Sequence, residues 1–331
     1  MNWGLIGAST IAAEHMIGAF RATGGVVTHV VSGNAAHAAA YAAAHGIAAH
    51  GTDLAAMLAD PTIGAVYISS TNEKHRAQAL AAIAAGKHVI CEKPLAMSVP
   101  DAVAMVKAAE AAGVVFATNH HLRNAGSHQA IRALVAGGRI GRVLSMRVFH
   151  AVHLPPHLQG WRISDPTAGG GVIPDITVHD ADTVRFHLGE DPVEVVAMAA
   201  ASGMGEGVED SVMSVWAMPS GVQVFAHESF THAFAGSGIE LHGTEGSIFA
   251  RGVMTQRPLG EITLVTAAGA EPVPFDTHNL YVHGVQRFLE AVGGKGLPAA
   301  DGWDGVRSLT VALAVREAAE TGTRQRVAYG D

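Results

Sequence analysis

Short, unbroken runs of apolar residues recur along the first third of the chain, and each is followed by a longer segment rich in alanine. Strands that are buried on both faces have this continuous apolar character, whereas alanine favours helices. The pattern therefore predicts alternating strands and helices, which is typical of a parallel sheet covered on both sides. The predicted strands are 3–6, 26–32, 64–69, 87–91 and 114–118, and the predicted helices are 11–22, 35–45, 72–85 and 99–112.

The pattern changes after residue 122, where most of the predicted strands are joined by short turns such as Pro219-Ser220-Gly221. Such connections are typical of an antiparallel sheet, here with a helix on one face. The sequence thus predicts an α/β protein with one domain over 1–122 and an α+β domain with an open, mostly antiparallel sheet over 123–331, whose last helix could pack back on the first domain. The predicted strands are 143–153, 193–200, 211–218, 222–229, 238–242 and 246–250, and the predicted helices are 127–136, 175–188, 280–292 and 303–321.

Composition and charge exclude several classes of protein. The chain has 331 residues, of which 49% are apolar and 15% charged, so it is long enough for two domains and unlike a disordered segment. A formal net charge of −8 and the absence of a basic run argue against binding to nucleic acid. No apolar run is long enough to span a membrane and no signal peptide is evident, which favours a cytoplasmic protein. The single cysteine excludes an intrachain disulfide, and the 20 histidines form no metal-binding motif, so we expect no metal.

The turn after the first predicted strand, Gly7-Ala8-Ser9-Thr10-Ile11-Ala12, fits a dinucleotide site. In the usual fingerprint, glycines allow a tight turn, close approach of the pyrophosphate and close packing of helix on strand. Here Gly7 supplies the turn, Ser9 replaces the second glycine and Ala12 the third. The N–H groups at the start of the helix remain available for phosphate. An ordinary strand–helix turn is the alternative, but the position at the head of alternating strands and helices favours the cofactor.

The end of the second strand indicates which nucleotide is bound. NAD sites usually place Asp or Glu here for the ribose 2′-hydroxyl, but Ser32, Gly33 and Asn34 carry no carboxylate. A 2′-phosphate would meet no repulsion, and His37 could add positive charge when protonated. The segment therefore favours NADP over NAD, with a modest preference because it contains no arginine. A neutral loop that does not discriminate is the alternative.

The fourth strand is followed by a lysine whose backbone conformation is restricted. Lys93 precedes Pro94, and proline restricts its own backbone and that of the residue before it. Ligands of open α/β sheets bind beyond the carboxyl ends of the strands, so this ammonium group could stabilise a carbonyl oxygen that gains charge. A solvated lysine before a turn is the alternative.

The small polar residues 70–72 follow the third strand. They suit contacts to ribose and diphosphate, and capping of the next helix is the alternative.

The chemistry of the second part is concentrated in the helix after the glycine run 169–171. Asp175 and His179 are four positions apart and therefore on one helix face. Hydride transfer to a ketone leaves an alkoxide, to which an imidazole can give a proton at neutral pH. We expect His179 to donate that proton and Lys93 to stabilise the oxygen, which requires the two side chains to converge over one nicotinamide ring. A surface pair on the helix is the alternative.

The turn at 7–12, the segment 92–94 and the glycine run followed by Asp175 and His179 together resemble the Gfo/Idh/MocA oxidoreductases over essentially the whole chain. The resemblance implies an N-terminal Rossmann domain and a C-terminal domain with an open antiparallel sheet. Within that family, the segments 119–124, 150–162 and 253–256 are similar to NADPH-dependent reductases of an anhydro-sugar ketone.

The resemblance also implies roles for individual residues. The implied catalytic residues are Lys93, Asp175 and His179. The implied substrate residues are His150, Trp161 and Arg162. The implied cofactor residues are Ala8, Ser9, Thr10, Ile11, Ser32, Gly33, His37, Ser70, Thr71, Asn72, Glu73, Lys74, His75, Glu92, Lys93, Asn119, Trp161, Arg162 and Tyr281. In one departure, His37 stands where these reductases carry an arginine, which again indicates a modest NADP preference.

Four functions are compatible with these residues. An NADPH-dependent reductase of a sugar ketone is favoured. A sugar or inositol dehydrogenase that works in the oxidative direction and an NAD-dependent glycosidase of the same fold are alternatives. A nucleotide-binding regulator is a fourth, for which Lys93 and His179 would be unnecessary. The expected partner is a small sugar ketone, and no sequence feature decides between a monomer and a homo-oligomer.

Overall fold

The structure, a computed structural model, describes residues 1–329 and contains two compact units. The first unit comprises Met1–His120 and Tyr281–Val306, and the second comprises His121–Leu280 and the chain from Arg307 onward. The first unit therefore includes a stretch of the C-terminal part of the sequence. None of the helices within residues 1–329 is both long and apolar enough to cross a membrane.

The first unit is built on six strands, which are β1 (Asn2–Ile6), β2 (Val26–Val31), β3 (Ala49–Gly51), β4 (Ala65–Ile68), β5 (His88–Cys91) and β6 (Phe116–Thr118). They form one sheet in the order β3-β2-β1-β4-β5-β6, and every neighbouring pair is parallel. β4 is buried at all of its positions, as a strand covered on both faces must be. The direction of winding reverses between β1 and β4, and ligands of such sheets bind beyond the carboxyl ends of the strands at that reversal.

Five helices follow the strands of this sheet, namely α1 (Ile17–Ala22), α2 (Ala35–His45), α3 (Leu54–Leu58), α4 (His75–Ala84) and α5 (Val99–Ala112). A π-helical turn at Ala12–Met16 leads into α1, and a 3-10 turn at Asn72–Lys74 leads into α4. Side chains that precede helices fix three of the starts, since Asn34, Asp53 and Ser98 accept hydrogen bonds from the first turns of α2, α3 and α5.

Nine strands form the sheet of the second unit, and they are β7 (Val143–Ala151), β8 (Glu194–Ala200), β9 (Ser211–Ala217), β10 (Gln223–Ser229), β11 (Ser237–Gly243), β12 (Gly246–Arg251), β13 (Glu261–Thr266), β14 (Gly269–Pro272) and β15 (Gln325–Arg326). Their order is β14-β13-β12-β11-β7-β10-β9-β8-β15. β7 and β10 are parallel neighbours, whereas all the other neighbouring pairs are antiparallel. β9 alternates between covered and more exposed positions, which is typical of a sheet with one covered face.

The remaining helices are α6 (Gly126–Ala136), α7 (Trp161–Ser164), α8 (Val178–Leu188), α9 (Leu280–Val292) and α10 (Gly302–Thr321). Two 3-10 turns occur at His121–Asn124 and Pro156–Leu158, and a π-helical turn at Ile173–Thr177 leads directly into α8. α8 contributes Ala181 and Val184 to the core of the second unit, where they join the inward side chains of the sheet. Nearly all of α8 is buried, including its polar residues.

The predicted architecture is confirmed, with a parallel sheet in the first unit and a mostly antiparallel sheet in the second. The predicted strand at 143–153 ends at Ala151, and the predicted helix at 175–188 is a π-helical turn followed by α8. Six elements were not predicted, namely β3, α3, α7, β13, β14 and β15. β14 is exposed along its whole length, so burial imposes no apolar pattern that a sequence could display.

Candidate functional site

The turn after β1 lies against the end of its neighbour β4. Gly7 has a φ of 108°, and a Cβ atom built on it would lie 2.8 Å from the backbone nitrogen of Ser70. Only glycine adopts this conformation at this distance without displacing a neighbour. The hydroxyl of Ser9 donates to Oγ of Ser69 at 2.7 Å and accepts from the N–H of Ala12 at 3.2 Å. The turn is fixed, lies at the start of a helix and has no side chain at Gly7, so a pyrophosphate can approach its backbone. The first unit can therefore hold a dinucleotide.

The end of β2 offers small polar groups to solvent. The Asn34 side chain accepts from the N–H of His37 at 2.9 Å, and Oγ of Ser32 lies 3.5 Å from Nδ1 of His37. Asn34 and His37 are exposed, and Ser32 is half-buried. The imidazole and the hydroxyl can both donate to an anion here, and no carboxylate occurs in 31–37.

Glu92, at the end of β5, is held by donors from the two neighbouring strand ends. The hydroxyl of Tyr67 and the amide of Asn119 both donate to Oε1 of Glu92. Burial, followed by the charge of Glu92, raises the pKa of Tyr67 well above its ordinary value, so the phenol remains a donor. Lys93 comes next in the chain and is half-buried. It therefore leaves the sheet at its carboxyl edge beside a carboxylate in a fixed position.

His75 is fully buried at the start of α4 and ties two loops together. Its Nδ1 lies 2.8 Å from the carbonyl oxygen of Pro94, and its Nε2 lies 3.1 Å from that of Ser70. Burial lowers the pKa of His75, and the two carbonyls and the charge of Glu92 oppose that shift. Ser70 follows β4 and Pro94 follows Lys93, so this ring fixes the two strand exits relative to each other. Because the ring of His75 has no exposed surface, it supports a cofactor site indirectly, by holding the two loops in place.

The glycine run of the second unit allows close packing before the helix. A Cβ atom on Gly170 would lie 2.6 Å from the carbonyl oxygen of Trp161, and one on Gly171 would lie 2.4 Å from the carboxylate of Glu209. Glu209 accepts from the N–H of Ile173 at 3.2 Å, and burial raises its pKa. The first residue of the π-helical turn is thereby anchored, which sets where the residues after it point.

Asp175 lies in the π-helical turn, and His179 lies in the first turn of α8. Nε of Arg162 is 3.5 Å from Oδ1 of Asp175, and the guanidinium group lies over the ring of Trp161 at 4.7 Å from its centroid. His179 is buried, with its ring edge-to-face against that of His121 at 4.9 Å between centroids. No sequence pattern indicated the π-helical turn, which changes the regular stacking that a spacing of four predicts for an α-helix.

His150 belongs to a cluster that the sequence did not indicate. Its Nδ1 lies 2.9 Å from Oδ1 of Asp180, which is fully buried in α8. In the parallel pairing of β7 with β10, His150 is also the register partner of Glu228. Neither carboxylate belongs to a recognisable motif, and the cluster becomes visible only when the strand register is known.

The predicted site residues thus fall into two groups. Those predicted to bind the cofactor lie in the first unit, except Trp161 and Arg162. In the second unit, the structure brings Arg162 together with Trp161 and Asp175, whereas His150 is bonded to Asp180. The catalytic, substrate and cofactor roles given to these residues stay predictions.

Comparison with known proteins relates both units to one family. Residues 1–120 match the model described as "Oxidoreductase family, NAD-binding Rossmann fold", and residues 128–249 match the one described as "GFO/IDH/MocA C-terminal domain". The 1,5-anhydro-D-fructose reductase of Ensifer adhaerens is 56% identical over 330 residues, which cover 99% of both chains. The inositol 2-dehydrogenase of Rhizobium meliloti is 28% identical over 332 residues, which cover 97% of both chains.

Solved structures share the fold. Aldose-aldose oxidoreductase from Caulobacter crescentus, complexed with glycerol, matches with a TM-score of 0.90 and 22% identity, covering 98% of this chain and 99% of that one. Levoglucosan dehydrogenase in complex with NADH and levoglucosan matches with a TM-score of 0.88 and 24% identity, covering 99% of both chains. At these identities, the likeness concerns the arrangement of the chain alone.

Substitution of Gly7 tests the nucleotide-binding turn. Gly7→Ala should weaken binding of NADPH and NADH by about tenfold or more, because the added Cβ must displace the Ser70 backbone and the positive φ is strained. Binding is measured by fluorescence titration, and circular dichroism checks the fold. Gly18→Ala is the matched control, since a Cβ there has no neighbour within 4 Å. An unchanged Kd for Gly7→Ala would contradict the assignment of this turn.

Proposed function

The chain belongs to the Gfo/Idh/MocA family of oxidoreductases, and from that premise we propose that it reduces the ketone of 1,5-anhydro-D-fructose to give 1,5-anhydro-D-mannitol, with NADPH as reductant. The observation that carries this proposal is the 56% identity, over 99% of both chains, to a 1,5-anhydro-D-fructose reductase. The side chains that the chemistry needs are also present, namely a lysine at a strand exit and a histidine at the start of a buried helix.

The reduction requires one hydride and one proton. The bound nucleotide supplies the hydride, which is taken up by the carbonyl carbon. We propose that the ammonium group of Lys93 donates a hydrogen bond to the carbonyl oxygen and stabilises its growing negative charge. The imidazole of His179 gives its proton to the same oxygen and completes the hydroxyl group. Asp175, held by Arg162, orients the sugar through one of its hydroxyls.

We propose NADPH as the preferred nucleotide because of the polar end of β2. Ser32 and His37 can both donate to a 2′-phosphate, and no carboxylate in 31–37 repels it. An imidazole is a weaker partner for phosphate than a guanidinium group. The preference over NADH should therefore be moderate.

A sugar or inositol dehydrogenase that works in the oxidative direction is the second candidate. The similarity to an inositol 2-dehydrogenase over 97% of both chains favours it. The same groups would serve in reverse, with His179 accepting the hydroxyl proton. This candidate differs from the first in substrate and direction.

A direct assay tests the proposal. Purified protein is mixed with NADPH and 1,5-anhydro-D-fructose, and the loss of NADPH absorbance is followed beside a parallel reaction with NADH. We expect turnover with both nucleotides and a higher kcat/KM with NADPH. A second arm supplies myo-inositol with NADP⁺ or NAD⁺. Turnover in that arm alone would replace the first candidate by the second.

The proposed roles of Lys93 and His179 predict which steps fail on substitution. Lys93→Ala and His179→Ala should each lower kcat by about a hundredfold or more, because charge stabilisation and proton transfer are lost in the transition state. Binding of NADPH, measured by fluorescence titration, should persist in both. The controls are Lys107→Ala and His50→Ala, which remove exposed side chains of the same types. A variant at Lys93 or His179 with near-full activity would refute the role given to that residue.

The role of His37 predicts a gain of affinity. His37→Arg should tighten NADPH binding by about three- to tenfold, because a guanidinium group is permanently charged and can bond phosphate through two N–H groups. The Kd for NADH should change little. His50→Arg adds the same charge on β3 and controls for a general electrostatic effect. Equal effects on the two nucleotides would place His37 away from the 2′-phosphate.

A further inference from the structure

Two carboxyl groups meet in the interior of the second unit. Glu228 on β10 and Asp180 on α8 are both fully buried. His150, on the neighbouring strand β7, joins them with 13% of its side chain exposed. The reaction described above uses neither carboxyl group, and burying two negative charges side by side is unfavourable unless something compensates them.

The strand register and the packing of α8 bring the three groups together. His150 and Glu228 are register partners on parallel strands, so their side chains leave the same face of the sheet. α8 packs on β7 and places Asp180 against both. Oδ1 of Asp180 lies 2.9 Å from Nδ1 of His150, and the carboxyl groups of Asp180 and Glu228 are near enough for each to shift the pKa of the other.

One additional proton would let the two carboxyl groups form a hydrogen bond with each other. If both carboxyl groups are ionised, Oδ2 of Asp180 and both oxygens of Glu228 accept no hydrogen bond, although all three atoms are buried. A carboxylate can only accept, whereas a carboxylic acid has one O–H to donate. One proton between the two groups turns two unsatisfied carboxylates into a donor and an acceptor.

We infer that Glu228 and Asp180 share one proton and act as positioning residues: Glu228 donates to Asp180, and Asp180 accepts from Nδ1 of His150. This arrangement fixes the tautomer and the orientation of the imidazole. Nε2 of His150 is then the ring atom left to accept a hydrogen bond from a hydroxyl of the sugar. That last step rests on the proposed function, whereas the sharing of the proton does not.

The electrostatics place the proton on Glu228. Burial, and then the charge of Asp180, raises the pKa of Glu228 well above its ordinary value. Burial also raises the pKa of Asp180, but the hydrogen bond and charge of His150 oppose that shift, so Asp180 is the better anion. His128 of α6 is the next titratable neighbour of His150, and burial lowers its pKa to about 4, so it is uncharged at neutral pH. Asp182, two residues further along α8, is paired with Arg123.

Infrared spectroscopy tests the shared proton without any substrate. The protein is labelled with ¹³C at its glutamate carboxyl groups, and the spectrum of Glu228→Gln is subtracted from that of the wild type at neutral pH. We expect a band of a protonated carboxyl group that is sensitive to the label and disappears in the variant. The absence of such a band would overturn the inference. A band that persists in Glu228→Gln but disappears in Asp180→Asn would overturn the assignment to Glu228.

Kinetics test the positioning role, with substitutions that differ in the donor alone. Glu228→Gln keeps a donor for Asp180 and should retain kcat/KM for the sugar within about threefold, whereas Glu228→Leu keeps the approximate size but removes the donor and should lower it about tenfold or more. The KM for NADPH should stay the same in both. Glu240→Gln, which neutralises a partly exposed carboxylate on β11, is the control. Equal activity of the Gln and Leu variants would overturn the positioning role.

The two measurements separate this inference from the proposed function. If the wild type reduces no sugar ketone, the proposed function fails while the infrared band still decides whether the proton is shared. If Glu228→Leu does not fold, the band and the retained activity of Glu228→Gln still decide. The third outcome compares Glu228→Gln with Asp180→Asn, which removes the negative charge of Asp180. If both variants lose the same activity, a negative charge on Glu228 is needed, and Glu228 is not protonated.

Discussion

The first unit depends on one close approach of two backbones, at the point where Gly7 meets Ser70. The missing side chain lets the turn after β1 lie against the end of β4, and the hydrogen bond between Ser9 and Ser69 keeps it there. From Ser70 the connection continues through the ring of His75 to the carbonyl oxygen of Pro94. A glycine, two hydroxyls and an imidazole thus hold the ends of β1, β4 and β5 in fixed positions relative to one another. These contacts also fix the backbone position of Lys93, which follows β5.

In the second unit, α8 carries polar side chains into the interior, where burial is unfavourable unless they have partners. Two of them, Asp182 and His187, have partners on other elements. Asp182 receives two hydrogen bonds from Arg123, at 2.8 and 2.6 Å, and His187 lies 3.1 Å from His128. Buried ionic groups stabilise a fold only when their geometry is good, and losing one partner leaves the other uncompensated. The helix that carries His179 is therefore held by directional contacts, which restrict its rotation more closely than apolar packing alone would.

Much of this architecture could be predicted from the sequence, since burial imposes a pattern that is readable without a structure. β4 is apolar throughout because both of its faces are covered, and β9 alternates because only one of its faces is. The candidate residues Lys93 and Asp175 were recognisable because each stands beside a proline, and His179 because it follows Asp175 at a spacing of four. Asp180 and Glu228 were not, because their partnership depends on the register of β10 against β7 and on the packing of α8. The small elements β3 and β14 are too short or too exposed for burial to shape their composition.

Each unit contains a helix that is preceded by a π-helical turn, at Ala12–Met16 and at Ile173–Thr177. Such a turn accommodates one more residue than the α-helix around it. Loss of a single codon there would restore regular winding with little rotation of the helix that follows. In the second case, it would change the angle between the side chains of Asp175 and His179 about the helix axis. A change of one residue in length could thus rearrange the candidate site without replacing either side chain.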